Sequence, residues 1–360
     1  MIMSEKCKQH VDSCRFCWMC HHICPVGNAT GQERNTARAR ALGISLVNRD
    51  AVDLSEIMDN IYECATCGAC VHDCVTGWDP VMFTKEVRLQ AALEGKLPDY
   101  IMALVENCIT TGNAYGKAEL SESLKSAVSA HSKKSDTLLY LGTDAVYMVP
   151  QQALKAIKVF EKAGVDFTVL DKEPASGAQL DFLIGAANET KEQMTSCAKA
   201  LNEYKTVVVY DPNDAKAIKQ LYKEYGVEVD ANVVTYTSFV ADLIKNNKLE
   251  TKKTDKNVVF QDPYQLSRDL EETEEARDII SAFANLNEML LNRGETVWAG
   301  CILMAQYMPE IIKMVSKRRI FNATSVGANT IVTASVSEYA CLKNVANDVE
   351  ILSIEDLILG

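Results

Sequence analysis

Two periodicities of hydrophobic residues divide the chain. In the first hundred residues, apolar positions recur at helical spacing, and the first such run predicts a helix over 33–48. A second helix is predicted to start after Asp53, where Glu56 completes a capping box. A third is predicted to start at Pro80, because proline is favoured at the first helical position. This part of the chain is therefore predicted to be helical.

From residue 137 onward, short runs rich in valine, isoleucine and threonine alternate with helical patterns. Apolar strands separated by helices predict parallel sheets with right-handed crossovers. The predicted strands are 137–141, 165–170, 206–210, 232–235, 257–260, 296–299, 330–333 and 349–352. The predicted helices are 151–163, 189–204, 215–225, 273–291, 305–317 and 337–345.

These patterns predict an α+β multidomain protein. A length of 360 residues suits two or three domains. We expect a helical two-cluster ferredoxin-like domain at 1–97, then a linker at 98–135. The linker begins with a predicted helix at 99–110. Two related α/β lobes with parallel sheets are expected at 136–250 and 251–360. A stretch rich in lysine and polar residues, 248–256, separates the two lobes.

Eight of the thirteen cysteines stand in two copies of the spacing C-x2-C-x2-C-x3-C, fifty residues apart. Three closely spaced thiolates can wrap one cubane cluster, while the fourth cysteine serves the other cluster in two-cluster ferredoxins. We therefore expect two [4Fe-4S] clusters with exchanged fourth ligands. The first would be bound by Cys14, Cys17, Cys20 and Cys74, and the second by Cys64, Cys67, Cys70 and Cys24.

Zinc and disulfides are the alternatives for these cysteines. Structural zinc usually takes two separated C-x2-C pairs that close one tetrahedron, whereas each motif here already supplies four cysteines. Disulfides need an oxidising compartment, and residues 1–6 lack the apolar segment of a signal peptide. We therefore expect a cytoplasmic protein, which could reach the inner membrane only through partners.

Charge and motifs argue against several other functions. A formal net charge of −12 argues against nucleic acid as a partner, and the basic group Arg34, Arg38 and Arg40 is interpreted as a solvated helix face. The sequence contains no run of eighteen apolar residues, so no transmembrane segment is predicted. No G-x-G-x-x-G motif occurs, and the glycine-rich stretch 112–117 is one residue too short for a phosphate loop.

The segments Cys14–Asn28 and Tyr62–Cys74 resemble the iron-sulfur subunits of heterodisulfide reductase, glycolate oxidase and anaerobic glycerol-3-phosphate dehydrogenase. The resemblance implies a helical ferredoxin domain followed by two cysteine-rich "CCG" lobes. In a complete lobe, cysteines from three loops converge on a cluster. Only Cys301 remains at the matching positions here, so the lobes are expected to lack that metal centre. The matching loops are 142–143, 175–177, 211–214, 262–264, 300–301 and 335–338.

The resemblance implies an electron-transfer subunit of a multisubunit oxidoreductase. It would relay electrons between an FAD-dependent dehydrogenase subunit and a further electron carrier, with the FAD on the partner chain. A catalytic subunit that reduces a heterodisulfide or a quinone is one alternative. A structural or redox-sensing iron-sulfur protein is the other.

Several residues near the motifs allow more than one interpretation. The histidines that border the cysteines could tune the clusters through hydrogen bonds or simply lie at the surface; these are His21, His22 and His72. Trp18 and Trp78 are interpreted as shields for the clusters. Cys7 is interpreted as a spare thiol. Three cysteines within helical patterns are predicted to be buried small hydrophobes, namely Cys108, Cys197 and Cys341.

Overall fold

The computed structural model describes residues 4–360. The first three residues, part of the N-terminal stretch without a signal-peptide pattern, lie outside the described range. The chain forms a helical part followed by two small parallel sheets surrounded by helices, as the periodicities predict. Among the helices of residues 4–360, none combines the length and the apolar character needed to cross a bilayer.

The helical part consists of short helices joined by tight loops. Its helices are α1 (Glu5–Asp12), α2 (Met19–Ile23), α3 (Pro25–Thr30), α4 (Ala37–Asn48), α5 (Leu54–Tyr62), α6 (Ala69–His72), α7 (Pro80–Leu93), α8 (Asp99–Thr111) and α9 (Glu122–Ala130). The predicted capping box of Asp53 and Glu56 is confirmed at the start of α5. Pro80 begins α7, where the Asp79 carboxylate accepts the Met82 N–H at 2.9 Å.

Much of the stretch 98–135 is helical, as α8 and α9. The serines and lysines of α9 resemble a linker composition, so sequence pattern alone does not predict this helix. Its apolar positions Leu124 and Val128 are buried in the core of the sheet region, and this packing stabilises the helix.

The first sheet is parallel, with the strand order β1-β2-β3. Its strands are β1 (Thr137–Tyr140), β2 (Thr206–Val209) and β3 (Asn232–Thr235). The predicted strand over 165–170 is wrong, since only Thr168 bridges to β1. The next amide, Val169 N–H, donates to the His131 carbonyl instead, so the ladder stops there. The helices around this sheet are α10 (Thr143–Tyr147), α11 (Pro150–Lys162), α12 (Ala178–Ile184), α13 (Asn188–Leu201), α14 (Pro212–Lys216), α15 (Tyr222–Glu224) and α16 (Tyr236–Lys245), with a π-helical segment at Ala217–Leu221.

The second sheet is also parallel, with the order β5-β4-β6-β7. Its strands are β4 (Asn257–Gln261), β5 (Asn285–Asn287), β6 (Thr330–Thr333) and β7 (Glu350–Ser353). Its helices are α17 (Glu275–Phe283), α18 (Ile302–Ala305), α19 (Pro309–Ser325), α20 (Val336–Val345) and α21 (Ile354–Leu359), with a π-helical segment at Gln265–Asp269 and 3-10 turns at Glu33–Asn35 and Arg293–Glu295.

Two predictions for this region are wrong. The predicted helix 273–291 ends at Phe283, and part of its remainder forms β5. The predicted strand 296–299 is an irregular segment, because side chains rather than a neighbouring strand contact its backbone. One such contact is the Ala299 N–H, which donates to the Glu338 carboxylate at 3.0 Å.

The lobes pack against each other and against the helical part. One core joins α11 and α16 of the first lobe to α17 and α21 of the second. Another core joins α12 to α5, α7 and α8. A third joins α3 and the second cysteine loop to α18 and α19. The cysteine loops are therefore held between the helical part and the sheets.

Candidate iron-sulfur sites

The two cysteine loops have the same backbone conformation. Phe16 and Thr66, two residues after the first cysteine of each motif, have φ of 56° and 49°. Trp18 and Gly68, two residues further, have φ of 70° and 71°. The amide of each first left-handed residue donates to the sulfur two residues earlier, at 3.4 Å in both loops. The sequence repeat is therefore also a structural repeat.

Left-handed backbone is unfavourable for residues with a side chain, by roughly 1–2 kcal/mol. Three of the four left-handed positions nevertheless carry side chains: Phe16, Trp18 and Thr66. Backbone in such a region is usually retained for a local function. Here it bends each loop so that an amide faces a cysteine sulfur, which favours a thiolate ligand.

The first cysteine group lines one cavity near the surface. Cys14, Cys17 and Cys20 line this cavity together with Cys74, the last cysteine of the other motif. Cys70 also reaches the cavity wall. The Cys74 sulfur and the Thr76 hydroxyl oxygen lie 3.2 Å apart and share a hydrogen bond in which either can be the donor. Burial opposes ionisation of Cys74, but its hydrogen bonds with Thr76 and Trp78 lower its pKa below the ordinary value.

Three cysteines of the second group are buried, namely Cys24, Cys64 and Cys67, and Cys70 is half-buried. Burial raises the pKa of Cys70 well above the ordinary value, and charges on its neighbours Cys64, Cys67 and Cys24 add to this effect. Burial likewise raises the pKa of Cys67 to about 11, with Cys24 among the neighbours that contribute. Cys24, the last cysteine of the first motif, is therefore close to the cysteines of the second motif.

The sulfur spacing is relevant to the zinc alternative. Among residues 4–360, no three cysteine sulfurs all lie within 4.8 Å of one another. Zn–S bonds of about 2.3 Å in a tetrahedron would place the sulfurs roughly 3.8 Å apart. The described residues therefore contain no preformed triad of sulfurs at the spacing of a zinc site.

Two buried arginines provide positive charge beside the second group. Arg40 is 3% exposed, lies close to Cys24, Cys64 and Cys70, and donates to the Asn35 carbonyl at 2.8 Å. Its Nε has no hydrogen-bond partner among the described residues. Arg88 is fully buried and donates to the Cys64 carbonyl at 2.7 Å. Burial opposes ionisation of Cys64, yet Arg40 and Arg88 lower its pKa below the ordinary value. The site is therefore suited to an anionic group bound by thiolates.

The sequence pattern does not single out these arginines. The interpretation of Arg40 as part of a solvated face is wrong, because it lies on the same face of α4 as the buried residues Ala37, Ala41 and Ile44. Arg34, by contrast, is exposed. A charged residue within an apolar helical stripe is the available signal, and Arg88 has the same placement on α7.

The two groups differ in their covering. Cys17 is exposed, and large apolar side chains around it are also exposed, including Phe16 at 64% and Val75 at 87%. The second group lies under the second lobe, where Arg268 donates to the Cys67 carbonyl at 2.8 Å. Trp298 and Met304 of the same lobe belong to the core that contains Cys67.

The aromatic residues and histidines near the motifs have distinct environments. Trp78 is buried, lines the cavity of the first group and donates from Nε1 to the His10 carbonyl at 2.6 Å. Trp18 is 44% exposed and stacks under Arg38, 3.9 Å from ring centre to guanidinium carbon. His72 lies 3.1 Å from a Glu295 carboxylate oxygen of the second lobe.

The remaining cysteines are mostly core residues. Burial of Cys108, Cys197 and Cys341 in helices confirms their interpretation as small hydrophobes. Cys7 is also buried, in the core of the helical part. Cys301 instead lines a cavity between the lobes. Residues of four of the six aligned CCG loops line this cavity, and they include the carboxylates of Asp211 and Asp214 where that resemblance implies thiolates.

The sequence of this chain is similar to sequences of known proteins. The family model described as a 4Fe-4S dicluster domain matches residues 10–78. One subunit of the dihydromethanophenazine:CoB–CoM heterodisulfide reductase from Methanosarcina acetivorans is 23% identical over 356 residues, which cover 90% of this chain and 86% of the relative. The chain is similar to iron-sulfur subunits of this type over most of its length. It is an electron-transfer protein related to that reductase subunit.

A second relative matches over a smaller share of its own length. A probable membrane-anchored ferredoxin from Chromohalobacter salexigens is 26% identical over 271 residues, 72% of this chain. The match spans only 39% of that ferredoxin. An aspartate racemase homologue from Pyrococcus horikoshii matches in structure at 11% identity, over 62% of this chain and 96% of that one, but a TM-score of 0.27 supports no argument.

Proposed function

We propose that this heterodisulfide-reductase-type protein relays electrons through two [4Fe-4S] clusters, between an FAD-dependent dehydrogenase subunit and a further electron carrier. The FAD would be bound by the partner chain, and the complex would be cytoplasmic. The proposed ligands are Cys14, Cys17, Cys20 and Cys74 for the first cluster, and Cys64, Cys67, Cys70 and Cys24 for the second.

The exchange of fourth ligands is supported by the positions of two cysteines. Cys74 shares a cavity with the first three cysteines of the other motif, and Cys24 lies near Cys67 and Cys70. Each motif would then hold its cluster with three nearby thiolates, and the fourth would come from the other loop. Bound clusters would supply one-electron chemistry.

The relay proposal rests on the difference in solvent exposure between the two cysteine groups. The first group is open to solvent around Cys17, while the second is enclosed by the second lobe. An open site and an enclosed site connected through Cys70, which touches both, suit the entry of electrons at one end and their transfer inward. A structural role would not require an exposed site.

The partner is proposed from chemistry and relatives. A flavin handles both two-electron and one-electron steps, so a flavin dehydrogenase can feed one-electron carriers. Relatives named as subunits of heterodisulfide reductase support membership of a hetero-oligomer. The exposed apolar side chains Phe16, Trp18, Met19 and Val75 border the first group and would be covered by a partner.

The domain division belongs to the same proposal. We assign cluster binding to 1–97, a connection to 98–135, and cluster covering together with partner docking to the lobes 136–250 and 251–360. The contact of Arg268 with the Cys67 carbonyl supports the covering role of the second lobe.

Anaerobic purification with a co-expressed neighbouring flavin dehydrogenase tests the function. We expect about eight iron and eight sulfide per chain, following the two-cubane motif. The flavin dehydrogenase should co-purify, and its substrate should bleach the cluster absorbance. Zinc in place of iron would refute the cofactor assignment. Clusters that no flavoprotein reduces would refute the partner assignment alone.

A reductase of a heterodisulfide or quinone is the second candidate. The observation in its favour is the cavity between the lobes, which is lined by Cys301 and by Ala65, the residue next to Cys64. Turnover of a disulfide or quinone by the reduced chain without any partner would favour this candidate over the relay.

A further inference from the structure

The two cysteine loops share a backbone conformation but differ in the side chains between their cysteines. Four positions hold large side chains in the first loop and smaller ones in the second. In chain order, these residues are Arg15, Phe16, Trp18 and Met19, which correspond to Ala65, Thr66, Gly68 and Ala69 fifty residues later. Because the left-handed positions have similar φ angles in both loops, the backbone does not require this difference.

Packing explains the small side chains of the second loop. Ala65 and Ala69 are buried in the core that joins this loop to Trp298 and Met304 of the second lobe. Larger side chains at these positions would collide with that lobe, because protein interiors are closely packed. The second loop is therefore suited to being covered by another part of its own chain.

The large side chains of the first loop are exposed instead. Phe16, Trp18, Met19 and the neighbouring Val75 are all at least 44% exposed. Phe16 and Trp18 also have left-handed backbone, which is unfavourable for a residue with a side chain. Stability alone would favour glycine at position 18, as at Gly68. Exposed aromatic side chains on unfavourable backbone therefore indicate a role in binding.

Arg38 connects the two aromatic side chains of the first loop. Its guanidinium carbon lies 3.9 Å from the centre of the Trp18 ring and 5.2 Å from the centre of the Phe16 ring. These cation–π contacts orient both rings beside the cavity of the first cysteine group. Aromatic, methionine and arginine side chains are enriched at protein interfaces. This surface, the first-loop face, consists of Arg15, Phe16, Trp18, Met19, Arg38 and Val75.

The first-loop face carries positive charge on an acidic protein. Residues 14–32 contain no aspartate or glutamate, whereas the whole chain has a formal net charge of −12. Arg38 has Glu33 at 3.6 Å, but no described carboxylate lies within 4.0 Å of the exposed Arg15 guanidinium. An acidic partner would thus be repelled by most of the protein surface and attracted to this face.

The size of the face suits a transient partner. Stable interfaces use about 20–30 residues on each side, whereas electron-transfer encounters are smaller. We propose that the first-loop face docks a small acidic one-electron carrier protein, which exchanges single electrons with the first cluster. This inference rests on the proposed relay function. The flavin-containing subunit would then bind elsewhere, on the lobes.

Stopped-flow mixing with a plant-type [2Fe-2S] ferredoxin, an acidic probe, tests this docking. The probe and the full chain with its clusters are mixed anaerobically, in the direction that their measured potentials make favourable. One electron leaves the reduced protein and enters the oxidised one, so both change in equal amounts. We expect the second-order rate constant to fall about tenfold from low to high ionic strength, because salt screens the attraction between opposite charges.

Two variants separate charge from apolar contact. Arg15→Glu should slow the transfer about tenfold at low salt and much less at high salt, where its charge is screened. Phe16→Thr combined with Trp18→Gly copies the second loop and should slow the transfer severalfold at every salt concentration. This double variant should unfold no more readily than the natural protein, because glycine suits the left-handed backbone.

The exposed pair Arg318 and Phe321 on α19 provides the matched control. Its guanidinium carbon lies 5.3 Å from the ring centre, as in the contacts of the first-loop face. Arg318→Glu and Phe321→Ala should leave the transfer rate unchanged. An equal decrease in these controls would overturn the proposal, because the attraction would then not be specific to the first-loop face.

Photoreduced deazaflavin, a small reductant, distinguishes failure of the docking from failure of the relay. A chain without iron, or clusters that deazaflavin does not reduce, would refute the relay itself. With clusters that deazaflavin reduces, a rate that Arg15→Glu does not change, or that rises with salt, would overturn the docking alone. Loss of a co-purifying flavin dehydrogenase, or of a dimer of this chain, in the double variant would also overturn it, because the face would then bind that protein instead.

Discussion

Replacing Arg40 with glutamine should lower the reduction potential of the proposed second cluster. Arg40 is buried and carries a positive charge beside Cys24, Cys64 and Cys70. Reduction adds a negative charge to the cluster, so a nearby positive charge stabilises the reduced form. Arg40→Gln removes that charge while retaining a hydrogen-bond donor.

The magnitude follows from Coulomb's law. At a separation of about 6 Å and an effective dielectric constant of about 20, one charge stabilises one added electron by roughly 3 kcal/mol. For a one-electron couple, about 59 mV corresponds to a tenfold change in equilibrium, so the expected decrease is on the order of 100 mV. Because Arg40 is buried, salt should screen this effect little.

A redox titration monitored by electron paramagnetic resonance measures this potential. Arg40→Lys retains the charge, so its reduction potential should lie within a few tens of millivolts of that of the natural protein. Such a shift is a small fraction of the Coulomb energy. Arg49→Gln changes an arginine whose side chain is 70% exposed, and it should leave the potential unchanged. An unaltered potential in Arg40→Gln with full cluster content would refute the electrostatic argument, as would an equal decrease in Arg40→Lys.

Three further predictions concern ligation, stability and pH. Cys24→Ser should perturb the cluster of the second motif; damage confined to the cluster of Cys14, Cys17 and Cys20 in resonance spectra would contradict exchanged ligation. Arg88→Met should lower the free energy of unfolding by about 3 kcal/mol or more, because three buried carbonyls lose a donor. Denaturant titration measures this loss of stability, with Arg49→Met as the control. An equal loss in both variants would contradict the prediction. Burial raises the pKa of Glu338 to about 8. Its carboxyl, with an ordinary value of 4.5, therefore favours the folded state at low pH and loses that contribution as pH rises toward 8. Glu338→Gln should flatten this dependence between about pH 5 and 8, and an unchanged slope of unfolding free energy against pH would contradict it.

The sequence was most informative where local chemistry decides the structure. The capping box at Asp53 and the proline start at Pro80 depend on neighbouring residues alone, and both are confirmed. The fifty-residue repeat predicted two similar loops, and the shared left-handed positions at Thr66 and Gly68 match those of the first loop.

The sequence was least informative where distant contacts decide. Residues 296–299 have a strand-like composition, but the Thr296 hydroxyl donates to the Asp262 carbonyl, and Glu338 accepts the Ala299 amide, so no neighbouring strand pairs there. In the sequence, the carboxylates around the cavity between the lobes are noticeable only because they stand where the resemblance to CCG lobes would place cysteines. Their convergence depends on how the two sheets pack, which periodicity along the chain does not encode.

Spin quantification of the fully reduced, anaerobically purified chain tests the central claim of two clusters most directly. Two neighbouring [4Fe-4S] clusters with four thiolates each predict about two unpaired spins per chain and a spectrum broadened by spin–spin coupling. The substitution Cys24→Ser should remove or alter one of the two signals and leave the other. A single uncoupled spin per chain, or a silent protein that contains zinc, would contradict the two-cluster relay.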